Sequence, residues 1–285
     1  MLYLIATVLC SFSIGMLMKL TAARGMNAAV VIASNYVVGA VFGTAFALLA
    51  GTSTLSMTTV LLGLGGGILW PVSLTMLMVV LRQYGLSLTG ALANLSLAVP
   101  VLFGFVFLNE QLSLLAWIGI LLTFVAFFLL SPPRHDDIQR LDQRAVLAFL
   151  LMIIGIGLTQ LWANLFNHFA PAEEQFAFLA ILYTAASLLS WLFLRVRSIK
   201  IELREVRWGL VLGLPNFMGL YFLQESLLTP LFAGQSAVVY TLISGLGVVV
   251  AVLAGTLFWH ERMTRTNLAG VAVAICVIVL LNMGY

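Results

Sequence analysis

Apolar runs of about twenty residues recur along almost the whole chain, and that pattern leaves lipid as the solvent in which it can fold. Crossing about 30 Å of hydrocarbon takes roughly 20 apolar helical residues. Without water, backbone amides must also be satisfied within a helix or a closed barrel. On that ruler the chain reads as ten spans, at 2–20, 28–50, 58–81, 87–108, 113–131, 145–168, 175–194, 207–228, 234–258 and 266–284. Charge agrees: 8% of the residues are charged and 62% are hydrophobic, with mean hydropathy +1.14. Soluble domains carry about a quarter charged residues. The expected fold class is an all-α membrane protein of about ten transmembrane helices.

The clearly hydrophilic connections are 131–144 and 195–207. The first carries Pro132-Pro133 and mixed charge, which marks a join between two halves. The expected organisation is a first five-helix repeat over 1–131, a cytoplasmic linker over 132–144, and a second repeat over 145–285. At an offset of 151 residues Trp70 matches Tyr221, Leu95 matches Leu246, Gly104 matches Gly255, Phe107 matches Phe258 and Gly119 matches Gly270. Five is odd, so the second copy enters the membrane inverted. Many secondary transporters use that arrangement to alternate access to a midplane site.

One hairpin is used twice. Asn109-Glu110-Gln111-Leu112-Ser113 and His260-Glu261-Arg262-Met263-Thr264 each form a tight corner between apolar helices, with Gly119 or Gly270 nine positions after the Glu. Ser113 and Thr264 suit helix N-caps, with Leu112 and Met263 where a hydrophobic staple would sit. Glu110 and Glu261 lie near a helix N-terminus, where an anion is favoured. These four are read as cap residues of the repeat.

All thirteen Lys and Arg residues fall in or beside odd-numbered connections, while the even ones hold Glu110, Glu173, Glu174 and Glu225. By the positive-inside rule both termini lie outside. The net charge of +3 thus reports orientation, and no nucleic-acid partner is expected. Met1-Leu2-Tyr3 lacks a basic n-region, so no cleavable signal is expected. Cys10 and Cys276 lie inside apolar runs, which indicates neither a disulfide framework nor a metal site. His135-Asp136-Asp137 sits in a hydrophilic loop without further ligands, so no metal or cofactor is expected. Gly39 with Gly43, and Gly63 with Gly67, are spaced for close helix packing.

Polar side chains at lipid depth face the bundle interior, a cavity or one another. In the sixth span Gln160, Asn164 and His168 share a face, with Asn167 beside them. The eighth holds Asn216, Tyr221 and Gln224-Glu225, and the ninth a stripe of Ser236, Tyr240 and Ser244. The candidates for a solute cavity are Asn35, Tyr36, Trp70, Asn94, Gln160, Trp162, Asn164, Asn216, Tyr221 and Tyr240, formed by helices 1, 3, 4, 6, 8 and 9. Glu225 is the coupling candidate, for a proton or a cationic group. Thr229-Pro230 lies only a turn beyond it, so it stands between membrane depth and the outer interface.

With these hairpins and the five-plus-five pattern, the chain resembles the drug/metabolite transporter superfamily, EamA type. The family's Gly-Glu-x-Leu-Ser…Gly pattern is followed at both corners, except that Asn109 and His260 replace the Gly before the Glu. The resemblance implies a ten-helix carrier of the bacterial inner (plasma) membrane, often an exporter of amino acids, other metabolites or drugs, with cytoplasmic termini. The expected partners are the lipid bilayer, a small-molecule substrate and protons as a coupling ion, in a monomer or homodimer. The alternatives are a non-transporting membrane scaffold or receptor, and an intramembrane enzyme. The enzyme is disfavoured because His260-Glu261 lacks a second zinc-type His and no span carries an Asp.

Overall fold

A computed structural model describes residues 1–51, 55–108, 113–130, 143–232, 235–259 and 265–283, and among them the chain is helical with no strand. The long helices are α1 (Leu2–Ala23), α2 (Ala28–Leu49), α3 (Met57–Leu95), α4 (Ala98–Phe107), α5 (Leu114–Leu130), α6 (Gln143–Phe169), α7 (Gln175–Val196), α8 (Leu203–Leu228), α9 (Ser236–Trp259) and α10 (Arg265–Met283). Among the described residues six are long and apolar enough to cross a membrane: Leu2–Ala23, Ala28–Leu49, Met57–Tyr84, Ala145–Phe169, Ala172–Val196 and Leu203–Leu228. The apolar segments Ala98–Phe107, Trp117–Ala126, Ser236–Gly247 and Leu268–Val277 are shorter.

Helix ends follow local chemistry. Asn27 caps α2, its side-chain oxygen accepting from the Ala29 amide at 3.0 Å. Glu202 and Glu205 form a reciprocal capping box at the start of α8. α1 ends in a Schellman turn: Gly25 adopts φ +65°, its N–H donates to Ala22 O, and Met26 N–H donates to Thr21 O. The same turn ends α7, but there the left-handed position is held by Ser198 at φ 48°.

The third and fourth expected spans differ from the structure at their join. Helix continues through 82–86, and the break falls at Ser96-Leu97. Pro100 explains the position, because a proline has no N–H for the carbonyl four residues back and its ring crowds that carbonyl. Ser96 O instead accepts from Val99 N at 3.0 Å. The run is not a straight rod. Ser73 lies against Gly155 and Ser96 O against Gly157, two neighbouring positions on α6. A straight helix would separate Ser73 from Ser96 by roughly 34 Å, so α3 folds back between them.

Packing is set by glycines. Gly39 and Gly43 of α2 press against Tyr183 and Ala180 of α7, and Gly63 and Gly67 of α3 press against Ile181 and Ala185 of the same helix. Gly209 and Gly213 of α8 let it close on Val31, Ser34 and Asn35 of α2. The main contacts are α2 with α7 and α8, α3 with α6 and α7, α1 with α8 and α9, and α5 with α10. The largest core gathers Tyr36, Phe166, Phe178, Tyr183 and Phe217, with Phe166 stacked on Phe178 at 4.2 Å. Large apolar side chains such as Val41, Leu48, Leu61, Ile68, Leu188 and Leu192 are exposed, while Asn35 and Gln224 are fully buried. That inversion of the soluble pattern is what lipid selects.

Two carboxylates tie the halves together at opposite ends of the bundle. Glu205 accepts from the Asn27 amide at the start of α2, at 2.7 Å. Glu174 accepts from the Ser56 amide (3.0 Å) and hydroxyl (2.7 Å) at the start of α3. Both place an anion where helix N–H groups lack partners. At the Glu205 end, Arg24 stacks 4.6 Å over Trp208 and the Arg82 guanidinium donates to Met26 O. Arg24 and Arg82, far apart in the chain, therefore share one end with Glu205.

Candidate binding site

Gln160, Asn164 and Asn167 stand on one face of α6, at spacings of four and three. That face meets α9 and the last turns of α8. The Asn164 amide donates to Ser236 Oγ at 2.8 Å, the Tyr240 hydroxyl donates to Gln160 O at 2.6 Å, and the Asn167 amide donates to the Gln224 carbonyl at 3.3 Å. These bonds hold the frame and leave several polar atoms over. Gln224 is fully buried, and neither its side-chain oxygen nor its nitrogen has a hydrogen-bond partner in the protein; Gln160 Oε1 and Asn167 Oδ1 are buried and likewise unpaired. Each buried unsatisfied group costs about 1–3 kcal/mol. The four atoms belong to three residues of one hydrogen-bonded contact region between α6, α8 and α9.

A second polar group joins α2, α7 and α8. The Asn216 amide donates to Asn35 Oδ1 at 2.9 Å, and the Tyr183 hydroxyl donates to Asn216 O at 2.9 Å. Tyr36 lies beside Tyr183 with ring centroids 6.1 Å apart, its own hydroxyl buried and unpaired. Asn35 and Asn216 thus serve first as a helix-to-helix bond, separate from the α6–α8–α9 cluster.

Of the sequence candidates, the structure gathers Gln160, Asn164 and Tyr240. Trp162 is held as a clamp: its indole N–H donates to Leu62 O at 2.7 Å, and its ring lies against Gly65. Trp70 packs on the aromatic core. Tyr221 stacks on Phe176 at 5.6 Å, and its hydroxyl interacts with Glu225. Glu225 is half-buried three residues before the end of α8. His168 is exposed, its ring packed edge-on against Phe169. Ser113 directly precedes α5, and its carbonyl accepts from Trp117 N at 3.1 Å. Glu110, Glu261 and Thr264, the side chain of Asn94 and the His135-Asp136-Asp137 loop lie outside the described residues.

Sequence reasoning noticed Gln224 and Asn167 as polar residues in spans but did not place them in the site. One available signal was the offset of 151, which pairs Gln224 with Ser73, whose hydroxyl is also buried and unpaired. Tyr183 carried no signal of its own. Among the described residues no group of three or more His, Cys, Asp or Glu side chains is placed to hold a metal.

No family model matches the chain. A Haemophilus influenzae protein described as an uncharacterized protein is 25% identical over 277 residues, 94% of this chain and 93% of its own length. A solved structure described as a crystal structure of a protein covers 97% of this chain and 98% of its own, with a TM-score of 0.70 and 15% identity. At that identity the likeness is one of fold. The chain is thus an all-helical protein of membrane-spanning character, and its architecture recurs in a crystal structure.

Proposed function

We propose that the protein is a secondary transporter, an exporter of a small organic solute such as an amino acid, another metabolite or a drug. The reading rests on the buried, partly unpaired amide cluster between α6, α8 and α9 inside an apolar bundle. Buried polar groups left unpaired among lipid-depth helices are costly to keep, and the bundle interior is where a polar solute would meet them. We read the fold as ten crossings in two inverted five-helix repeats. Exchanging each helix with the one five places later turns α2–α8 into α7–α3, α1–α8 into α6–α3 and α1–α9 into α6–α4, and all of these pairs are in contact. The same exchange relates the Glu205–Asn27 tie to the Glu174–Ser56 tie.

Alternating access then consists of rocking the halves about the cluster, with each carboxylate tie closing one end. In this reading the protein resides in the bacterial inner membrane, and the resemblance of its repeat corners to those of EamA-type carriers supports it. Glu225, paired with Tyr221 near one mouth, is the group available to carry a coupling proton. The test is counterflow in proteoliposomes with a broad metabolite panel, with and without a proton gradient. Uptake of at least one solute, reduced in Gln224→Leu, is expected. A correctly inserted protein that moves no solute under any gradient would refute the transporter reading.

A further inference from the structure

We propose that the α6–α8–α9 site binds its solute through a neutral carboxamide or urea-type head group. The inference rests on the transporter reading and sharpens it. The unpaired atoms are of both kinds: Gln224 offers a donor and an acceptor on one buried amide, while Gln160 Oε1 and Asn167 Oδ1 add acceptors. The orientation of Asn167 is set by its amide nitrogen, which donates to the Gln224 backbone carbonyl. Its oxygen is therefore the atom left open.

A primary carboxamide supplies one acceptor and two N–H donors. Its carbonyl accepts from Gln224 Nε2, one N–H donates to Gln224 Oε1, and the other donates to Asn167 Oδ1. A carboxylate has no proton to give these oxygens. An ammonium group has no acceptor for Gln224 Nε2. Glu225 follows Gln224 in the chain but interacts with Tyr221, and the hydrogen bonds that hold the cluster's frame join only neutral groups; a buried uncompensated ion is strongly disfavoured. A neutral head that both gives and accepts fits best.

Three probes share a phenyl ring and differ in the head group: benzamide, benzoate and benzylammonium. Each is titrated against thermal unfolding of the detergent-purified full chain. Benzamide is expected to raise the melting temperature saturably, and the two ions are not. Gln224→Leu should abolish the benzamide shift while raising the melting temperature without any probe, because an unpaired buried amide has been replaced by a hydrocarbon of similar size. Gln224→Glu, which keeps a hydrogen-bonding side chain, should transfer the response to benzylammonium. A benzoate or benzylammonium shift in the wild type that matches benzamide and is lost in Gln224→Leu overturns the neutral head group but leaves the transporter standing. Absence of any shift, or one that survives both substitutions, overturns the assignment to this site; counterflow of other solutes then still decides the transporter reading. A lower melting temperature of unliganded Gln224→Leu overturns the premise that the amide is unpaired.

Discussion

Gly213→Ala should wedge α8 away from α2. A methyl group there would lie 2.5 Å from the Asn35 backbone oxygen and 2.6 Å from Val38 Cβ. Carbon–oxygen contacts relax at roughly 3.3–3.6 Å, so the helices must part by about 0.8–1 Å. One turn on, the Asn216–Asn35 bond starts at 2.9 Å, and the same displacement takes it past the roughly 3.2 Å limit of a good bond. Overpacking costs about 1–3 kcal/mol, and a lost interhelical bond in a membrane protein about 0.6 kcal/mol. Ala over Gly in a helix returns up to about 1 kcal/mol. The expected net loss is about 0.5–2.5 kcal/mol. Gly15→Ala in α1 is the control, since nothing lies within 4 Å of its added methyl; it keeps the helix gain without the clash. Thermal unfolding in one detergent should rank Gly15→Ala at or above wild type and Gly213→Ala below it. Equal or reversed ranking would refute the close α2–α8 approach.

Ser198→Gly should stabilise by about 1 kcal/mol, because the left-handed turn ending α7 penalises a side chain; thermal unfolding checks it, and a lower melting temperature would contradict the turn. Glu205→Ala removes the carboxylate on the Asn27 amide and one side of the α8 capping box, with an expected cost of about 0.5–2 kcal/mol. Hydrogen exchange should speed at residues 27–30 and at the start of α8, and unchanged exchange at both would deny the tie. In a double-mutant cycle Asn35→Ala and Asn216→Ala should couple by about 0.6 kcal/mol, within the range of interhelical bonds in membranes; strict additivity would show that the bond contributes nothing.

Much of the helix plan was legible in the chain because lipid imposes a one-dimensional rule: each crossing must be long, apolar and internally hydrogen-bonded. The ends of α1, α2, α6 and α7 fall within a few residues of the expected spans. The reversal between the spans 58–81 and 87–108 was legible, but the helical backbone through 82–86 and the break at Ser96-Leu97 were not, since the break depends on Pro100 acting four residues back. The glycine pairs at 39/43 and 63/67 announced close packing by spacing, but not that both would embrace α7.

For the site, helical period put Gln160, Asn164 and His168 on one face of α6 with Asn167 beside them; the structure keeps Gln160, Asn164 and Asn167 in the cluster and leaves His168 exposed. Which polar residues would pair, and which would be left open, depended on distant partners. Asn35 and Asn216, far apart in sequence, bond to each other and leave only Asn35 Nδ2 over, whereas Gln224 is buried with both amide atoms unused. Periodicity and hydropathy are properties of neighbours along a chain, and they determined by themselves the solvent, the helices and the charged end. Hydrogen-bond satisfaction is a property of neighbours in space, so only the tertiary structure could decide which buried amides hold the bundle together and which remain open to a solute.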